Sequence, residues 1–396
     1  MVCLNPDVQQ PIRTRSLQMW PAAWIVTAVF MLSNSATPLY VGWQLQMEFS
    51  EGTLTAVFTA YIVGLLAALL VAGQLSDRFG RKRVLLPGLL AALAASLLLA
   101  SATSVTMLVA GRFLTGVSVG VIVSAGMAAV VDFGGHDNRR TAALAASTAM
   151  VMGAGLGPLV AGSMAATLEE PIVPTFFVVL AVLISALVVA FVLPFIRIRA
   201  DSSKPWQLRL PTVPRSNWRY LALGVVVFAP GLTSTSFVLS LGPSLLSKLL
   251  AVPNPLVAGI LACAMFVAAT GIQFVVKGFS VRTILLLGAG ATVISMCCFI
   301  LSVSQLLLAP LIAAALLAGI GQGLGQLGGL TLIGLHVPVH NRAEGNALLN
   351  IGAYIPAGLL PLSTGFLANW VGLGPATVVF AMLSPSAHPR EQHSLA

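Results

Sequence analysis

Charge is scarce in this sequence. Only 8% of its 396 residues are Asp, Glu, Lys or Arg, whereas soluble domains carry about 25%. Hydrophobic residues make up 58%, and the mean hydropathy is +0.97. A soluble core of this length cannot bury so much apolar surface, so we expect lipid to surround most of the chain.

Cysteine and enzyme-like motifs are also scarce. The four cysteines are Cys3, Cys263, Cys297 and Cys298. None has metal or redox spacing, so no disulfide framework is predicted. His336 and His340 have metal-like spacing, but Pro338 interrupts the helix between them and no other ligand is near, so we predict no metal site. No phosphate loop, catalytic triad or carboxylate pair occurs, so we predict neither a cofactor nor an enzyme.

Long apolar runs are what the sequence has instead. A spanning helix needs roughly 20 apolar residues. The candidate spans are 21–41, 53–72, 84–103, 105–128, 142–165, 173–195, 219–243, 255–276, 282–303, 306–335 and 346–368. A weaker candidate at 373–384 has only a short apolar part. The pattern predicts an all-α polytopic membrane protein whose last helix is short or incomplete.

The basic residues concentrate on one side of this topology. The N-terminus and the connections after even-numbered spans hold seventeen of the 20 Lys and Arg residues. The connections after odd-numbered spans hold Lys248 alone, beside four glutamates. Because cytoplasmic loops are enriched in Lys and Arg, we place the N-terminus and the even-numbered connections in the cytoplasm. Orientation therefore explains the net charge of +9, and no nucleic-acid partner is predicted.

Two halves are indicated by a linker and a repeat. The sixth connection, about 196–218, is the longest, is rich in proline and holds five bases, with a sixth, Arg219, directly after it. It separates a predicted six-helix bundle at 1–195 from a second bundle at 219–396. Asn138, Arg139, Pro158 and Gly162 recur 203 residues later as Asn341, Arg342, Pro361 and Gly365. A fixed offset across several pairs favours two parallel repeats, a known plan of transporters.

A densely charged stretch, residues 73–83, separates the second and third spans. Its glycines, Gly73 and Gly80, are expected to allow a tight turn. The stretch resembles the signature of the major facilitator superfamily, G-x-L-x-D-R-x-G-R-K/R-x. The matching residues are Gly73, Leu75, Asp77, Arg78, Gly80, Arg81 and Lys82. Together with the two halves and the basic linker, it identifies the chain as resembling this family, in its drug and metabolite efflux branch.

The resemblance implies that Gly73, Asp77, Arg78, Gly80 and Arg81 belong to a cytoplasmic gate, to which we add Glu344 before the eleventh span. In the family this loop latches the two halves in the outward-facing state. Asp77 would then meet the start of the eleventh helix. The sequence from Asn341 to Glu344 resembles a helix cap there, and the positive end of that helix would attract a carboxylate. The alternative is that the bases only set membrane orientation, which leaves Asp77 unexplained.

Arg112 is a cation within the fourth span. Seven residues at 1.5 Å each place it about 10 Å from the outer surface. Such residues usually face the bundle interior and serve a pathway. It also resembles the family's arginine in this helix, which is linked to proton or substrate handling. The alternative is an arginine that snorkels to the outer headgroups.

The fifth span carries a glycine-rich pattern, and its members are Gly153, Gly157, Pro158 and Gly162. The pattern resembles the family's antiporter signature, G-x-x-x-G-P-x-x-x-G, which accompanies export in exchange for protons. The alternative is ordinary packing of small residues between membrane helices.

Uncharged polar residues are the remaining candidates for the transport path. Gln322 and Gln326 are four residues apart, share a helix face and suit a cavity for a neutral or mixed-polarity ligand. Hydrogen bonding between helices is the alternative. Asn34, Thr233 and Ser236 are added because the first, fourth, seventh and tenth helices line the cavity in this family.

We therefore expect alternating-access transport of a small organic solute, most simply efflux. The protein would be a monomer in the lipid bilayer of the bacterial inner membrane. Proton exchange stays open, because no Asp or Glu lies deep within a span. Uptake by the same fold and a transport-inactive membrane sensor or scaffold remain alternatives.

Overall fold

The computed structural model of the protein describes residues 12–135, 138–195, 211–338 and 341–383, without the side chains of residues 12–16, 77, 139, 140 and 343. In this part of the chain the secondary structure is helical throughout, with twelve helices. Most of the predicted linker, residues 196–210, lies outside the described residues. Each predicted span matches one helix to within a few residues at most of its ends.

We number the helices in chain order and call the first six, which precede the predicted linker, the N-terminal half. They are α1 (Ile12–Ser35, continued after a 3-10 turn as Tyr40–Met47), α2 (Glu51–Phe79), α3 (Arg81–Ala100), α4 (Val105–Val121, continued through a π turn as Met127–Gly134), α5 (Arg139–Thr167) and α6 (Ile172–Val192). The C-terminal half holds the other six. They are α7 (Trp218–Ser244, followed by a π turn to Leu249), α8 (Pro255–Val275), α9 (Val281–Gln305), α10 (Leu308–His336), α11 (Arg342–Val371) and α12 (Leu373–Leu383).

Eleven of these helices are long and apolar enough to cross a membrane. The exception is α12, of which the described part has 11 residues and extends about 16 Å, roughly half the thickness of the hydrocarbon core. The prediction of an all-α polytopic protein is confirmed for the described residues, and the short last helix stays a prediction because the description stops at Leu383 of α12.

The helices differ in how deeply they lie inside the bundle. The most apolar window is 94% buried in the first span and 67% in the seventh, but only 33% in α6 and in α8. The outer helices present large apolar side chains, such as Phe177, Ile184 and Phe191 of α6, at the surface. An apolar exterior of this kind suits lipid, so α1 and α7 form the centre of the molecule.

Glycine lets the helices of the C-terminal half approach closely. On α10, a Cβ at Gly319 or Gly323 would collide with carbonyl oxygens of α8, and one at Gly325 would meet the backbone of α7 at Phe228. Small residues commonly allow such contacts between membrane helices. The glycines therefore hold α10 against its neighbours and fix the direction of the side chains between them.

The predicted turn at residues 73–83 requires a correction. Helix α2 continues to Phe79 and α3 starts at Arg81, so Gly80 alone makes the connection, with φ of 91°. Gly73 lies inside α2, and a Cβ there would meet nothing within 4 Å. The bases after Gly80 continue as helix, and only Gly80 needs the conformational freedom of glycine.

Candidate functional site

The two ends of the bundle differ in charge. We call the end that holds Arg81, Lys82, Lys277, Arg282 and Arg342 the basic end. The other end, which we call the opposite end, holds Glu48, Glu51, Glu169 and Glu170 with Lys248. Successive helices run between these ends in alternating directions, so each residue can be placed along the bundle from its position in its helix.

An ion pair joins the two halves at the opposite end. Lys248 follows α7, and its Nζ lies 2.8 Å from Oε1 of Glu51 at the start of α2. The hydroxyl of Ser244 on α7 donates to Oε2 of the same carboxylate at 2.9 Å. The Glu51 side chain is only 12% exposed, so a charged carboxylate there depends on these partners. Sequence reasoning missed this contact, although Lys248 is the only base in the odd-numbered connections.

Helices α2 and α11 close the same end. The amide of Asn369 accepts a hydrogen bond from the Gly52 N–H at 3.3 Å and donates to Ser50 Oγ at 3.2 Å. Further along, the Thr59 hydroxyl donates to the Gly358 carbonyl at 3.3 Å. A Cβ at Gly365 would collide with Thr55 and with the Glu51 carbonyl. The two backbones therefore touch over the part of each helix nearest the opposite end.

Helices α5 and α8 make the matching contact. At this contact lies the glycine-rich pattern of the fifth span, Gly153, Gly157, Pro158 and Gly162, which we call the helix-5 signature. Gly153 and Gly157 pack against backbone oxygens of α1. One turn on, a Cβ at Gly162 would meet the Pro255 carbonyl at 2.7 Å, and one at Gly259 would collide with the carbonyl of Pro158. The signature thus joins α5 to α1 inside one half and to α8 across the two halves.

A cavity of about 490 Å³ lies between the halves, beyond these contacts. It reaches Gln273, two residues before the end of α8, and Asn346, four residues after the start of α11. Both positions are near the basic end. The cavity is therefore closed at the opposite end and extends toward the basic end.

Five amide side chains form one wall of this cavity. They are Gln273, Gln322, Gln326, Asn346 and Asn350, from α8, α10 and α11. The amide oxygens of Gln322 and Asn346 are buried and have no hydrogen-bond partner among the described residues. Asn346 and Asn350 were missed by sequence reasoning, although their spacing of four residues repeats that of the two glutamines.

The predicted transport-path residues divide into two groups. Asn34, Ser236, Gln322 and Gln326 line the cavity, whereas Thr233 and Arg112 do not. Thr233 is fully buried within α7, where its hydroxyl has no partner among the described residues. Helix α7 instead presents Ser236 and Thr235 to the cavity.

Arg112 lies inside the N-terminal half, with only 1% of its surface exposed. Its Nη1 donates to the carbonyl of Ser33 at 2.6 Å, near the end of the first segment of α1. Its guanidinium lies 4.7 Å from the ring centroid of Tyr61, a cavity residue. A cation at a helix C-terminus is favoured by the helix dipole, so Arg112 supports the break in α1.

The gate residues lie at the basic end. Arg81 pairs with Asp132 of α4 at 3.1 Å and donates to Ser76 Oγ at 2.9 Å, so its described contacts stay inside one half. The guanidinium of Arg78 lies 5.5 Å from the Phe79 ring. Asp77 lies in the last turn of α2, and its side chain is outside the described residues.

Glu344 differs from its predicted role as part of a helix cap. Helix α11 begins at Arg342, and its N-cap Asn341 makes no side-chain capping bond. The Glu344 carboxylate instead accepts hydrogen bonds from the N–H of Thr212 at 2.5 Å and from its hydroxyl at 2.9 Å. The capping prediction is therefore wrong, because the Asn341 N–H donates to the Pro338 carbonyl and Glu344 takes its donors from Thr212, in the chain that leads into α7.

Two bacterial proteins share limited parts of the sequence. A triacylglyceride transporter of Mycobacteroides abscessus is 37% identical over 106 residues, which are 27% of this chain and 21% of that protein. The multidrug resistance protein MdtL of Escherichia coli is 40% identical over 74 residues, 19% of either chain. The matches thus span about a fifth of each relative's length.

The fold matches over nearly the whole chain. A bacterial homolog of the human lysosomal transporter Spinster, in an inward-facing and unoccupied conformation, gives a TM-score of 0.72 at 14% identity and covers 96% of both chains. The family description that matches residues 19–280 is the Major Facilitator Superfamily, whose members are transporters and not enzymes. With more than half of its sequence matched and with the fold in agreement, this chain belongs to the Major Facilitator Superfamily.

Proposed function

We propose that this protein carries a small organic solute across the membrane by alternating access. The observation that supports this most is the cavity between the two halves, closed at one end by contacts between the halves and extended toward the other. A binding site of this kind becomes a transport path when the two halves rock and exchange the closed end.

The basic end is the cytoplasmic end in this proposal. It carries Arg81, Lys82, Lys277, Arg282 and Arg342, and short cytoplasmic loops are enriched in such residues. The structure then corresponds to an inward-facing state, with the N-terminus in the cytoplasm. The fusion of a reporter enzyme to the sixth connection, near residue 204, tests this orientation. Reporter activity on the outside would contradict it.

Helices α2 and α11 would form the gate at the basic end. The hydrogen bonds that the structure gives between them lie nearer the opposite end, from Ser50 to Thr59 of α2. From Ile62, which lines the cavity, to Asp77, α2 runs for another 15 residues, about 22 Å, toward the basic end. Closure at the basic end would bring Asp77 toward the start of α11, where the helix dipole favours a carboxylate.

Export is the direction that we propose. The helix-5 signature, which lies at the contact between the halves, and the resemblance to a protein named for multidrug resistance both favour it. We also propose that export occurs in exchange for protons. A proton carrier would have to lie outside the cavity lining, because no described residue that lines the cavity is an Asp or Glu.

Flux through purified protein in liposomes tests the proposal. A panel of labelled drugs, sugars and metabolites is loaded, and release is measured with and without an imposed proton gradient. We expect release of at least one compound above that of protein-free liposomes. If the rate of release does not depend on the proton gradient, proton exchange is contradicted but transport is not. A folded protein that releases no compound would contradict transport and favour a sensor or scaffold.

A further inference from the structure

The two walls of the cavity differ in chemistry. The amides stand on the C-terminal half, and only Asn34 adds one from the other half. The N-terminal half presents mostly carbon and sulfur. Its apolar wall includes Phe30, Phe58, Ile62, Met127, Met150 and Val151. The C-terminal half also adds apolar residues, and the N-terminal half adds the hydroxyls of Ser33, Tyr61 and Ser147. A ligand that fills the cavity therefore meets nearly all of the amides on one side and apolar side chains on both.

The amide wall has unused hydrogen-bonding capacity. The oxygens of Gln322 and Asn346 are buried without a partner among the described residues. Gln273 and Asn350 are held by backbone carbonyls, at 3.2 Å to Gly323 and 2.8 Å to Asn346. Because buried polar groups are usually hydrogen-bonded, the two unpaired oxygens point to a ligand that donates hydrogen bonds.

Formal charge is missing from the cavity. None of the described residues that line it is Asp, Glu, Lys, Arg or His. The nearest buried cation, Arg112, lies against the Tyr61 ring and does not line the cavity. An ionised ligand would lose water there without gaining a counter-charge, so the site disfavours anions and cations alike.

We propose that the cavity binds neutral amphiphiles. The apolar body of the ligand packs against α1, α2, α4 and α5, and its hydroxyl or amide head donates hydrogen bonds to Gln322 and Asn346. A cavity of about 490 Å³ is in the range of sites for drug-sized molecules. The inference rests on the proposed transport function, since it names the class of solute carried from that same cavity.

Three probes, each with a ten-carbon chain, separate the possibilities. They are N-decanoylethanolamine, which is neutral and donates hydrogen bonds, decanoate, which is an anion, and decyltrimethylammonium, which is a cation. Binding of each tritiated probe is measured with the full chain in nanodiscs by scintillation proximity, and empty nanodiscs correct for partition into lipid. We expect N-decanoylethanolamine to bind at least ten-fold more tightly than either charged probe.

Two variants locate the head group. Gln322→Leu and Asn346→Leu each remove an unpaired amide, and we expect each to weaken binding of the neutral probe about five- to ten-fold. Gln305→Leu makes the same exchange at an exposed position at the end of α9 and is expected to bind like the unmodified protein. Gel filtration shows whether each variant is folded. If one variant fails to fold, the other still tests the position of the head group.

The outcomes separate this inference from the transport proposal. Tighter binding of a charged probe, or unchanged binding of the neutral probe in both folded variants, overturns the neutral class, even if another compound is transported. Selective neutral binding without flux of any compound supports the binding class and contradicts transport. Equal weak binding of all three probes overturns the inference as well.

Discussion

Lys248 and Glu51 connect the two halves of this protein through an ion pair of 2.8 Å at the opposite end of the bundle. Each charge is also favourably placed on its own helix. Glu51 is the first residue of α2, and Lys248 lies in the last turn after α7. Helix dipoles favour acids at the start of a helix and bases at its end, so each charge is stabilised by its own helix as well as by its partner.

Reversal of one charge is expected to open the opposite end. Glu51→Lys places two cations together and removes an interaction of about 1 kcal/mol, which corresponds to a roughly five-fold shift in population. The distance between spin labels at positions 168 and 306, both exposed near that end, reports the shift in a cysteine-free background.

The double variant Glu51→Lys with Lys248→Glu is expected to restore the short distance. Glu170→Lys changes an exposed charge at the same end and serves as the control. If the double variant does not restore the short distance, the Glu51–Lys248 ion pair is incidental to closure of the opposite end.

Gly162 and Gly365, which are 203 residues apart, occupy equivalent places in the two halves. Gly162 brings α5 against α8, and Gly365 brings α11 against α2. We expect Gly162→Val and Gly365→Val each to lower the closed population and reduce flux about ten-fold or more, because the added carbons meet backbone atoms that cannot move aside. Spin-label distances and liposome flux are the measurements.

Gly271→Val is the matched control, since a Cβ there meets nothing within 4 Å. All three variants place a β-branched residue in a helix, so the shared cost of helix propensity cancels. An equal loss in all three would mean that glycine matters only for the helix and not for the contact between the halves.

Asp77→Asn tests the proposed gate at the basic end. The carboxylate is expected to stabilise the state in which α2 meets the positive end of α11, by about 0.3–1 kcal/mol or more. We expect a loss of flux of about five-fold, with normal membrane insertion and normal expression. Glu170→Gln removes an acid at the opposite end as a control. Normal flux in Asp77→Asn would count against the gate.

Arg112 is expected to be needed for cycling. Arg112→Met keeps the volume but leaves the Ser33 carbonyl without its cation, so the break in α1 loses its support. We expect flux to fall about ten-fold or more in the methionine variant and to recover in part in Arg112→Lys. Flux is compared with thermal unfolding of each variant, and Lys277→Met controls for the loss of an exposed base. Full flux in a folded Arg112→Met would contradict this role.

The fold could be read from the sequence because each span is a long apolar run bounded by charged residues. The positions of the helix-5 glycines and of Gln322 and Gln326 followed from motif and spacing, and the structure brings both glutamines to the cavity. It was harder to predict which face of each helix points into the cavity. Lipid-facing and core-facing sides are both apolar in a membrane protein, so the sequence does not mark the face that lines a cavity.

Three features depended on tertiary contacts. The Glu51–Lys248 pair joins residues 197 positions apart, which no local pattern indicates. Glu344 found its partner at Thr212 rather than in its own helix. Thr233 and Ser236 are three residues apart on α7, and only Ser236 reaches the cavity. In each case the packing of distant helices decided the outcome.

A reversible cross-link tests the central claim, that the two ends open in alternation, most directly. Ser50 Oγ and Asn369 Nδ2 are hydrogen-bonded across the halves at 3.2 Å, so Ser50→Cys with Asn369→Cys is the pair designed to form a disulfide in an otherwise cysteine-free chain. The measurement is liposome flux of the best compound from the panel, before oxidation, after oxidation and after reduction. We predict that oxidation stops flux and that reduction restores it. Undiminished flux through the fully cross-linked protein would contradict alternating access.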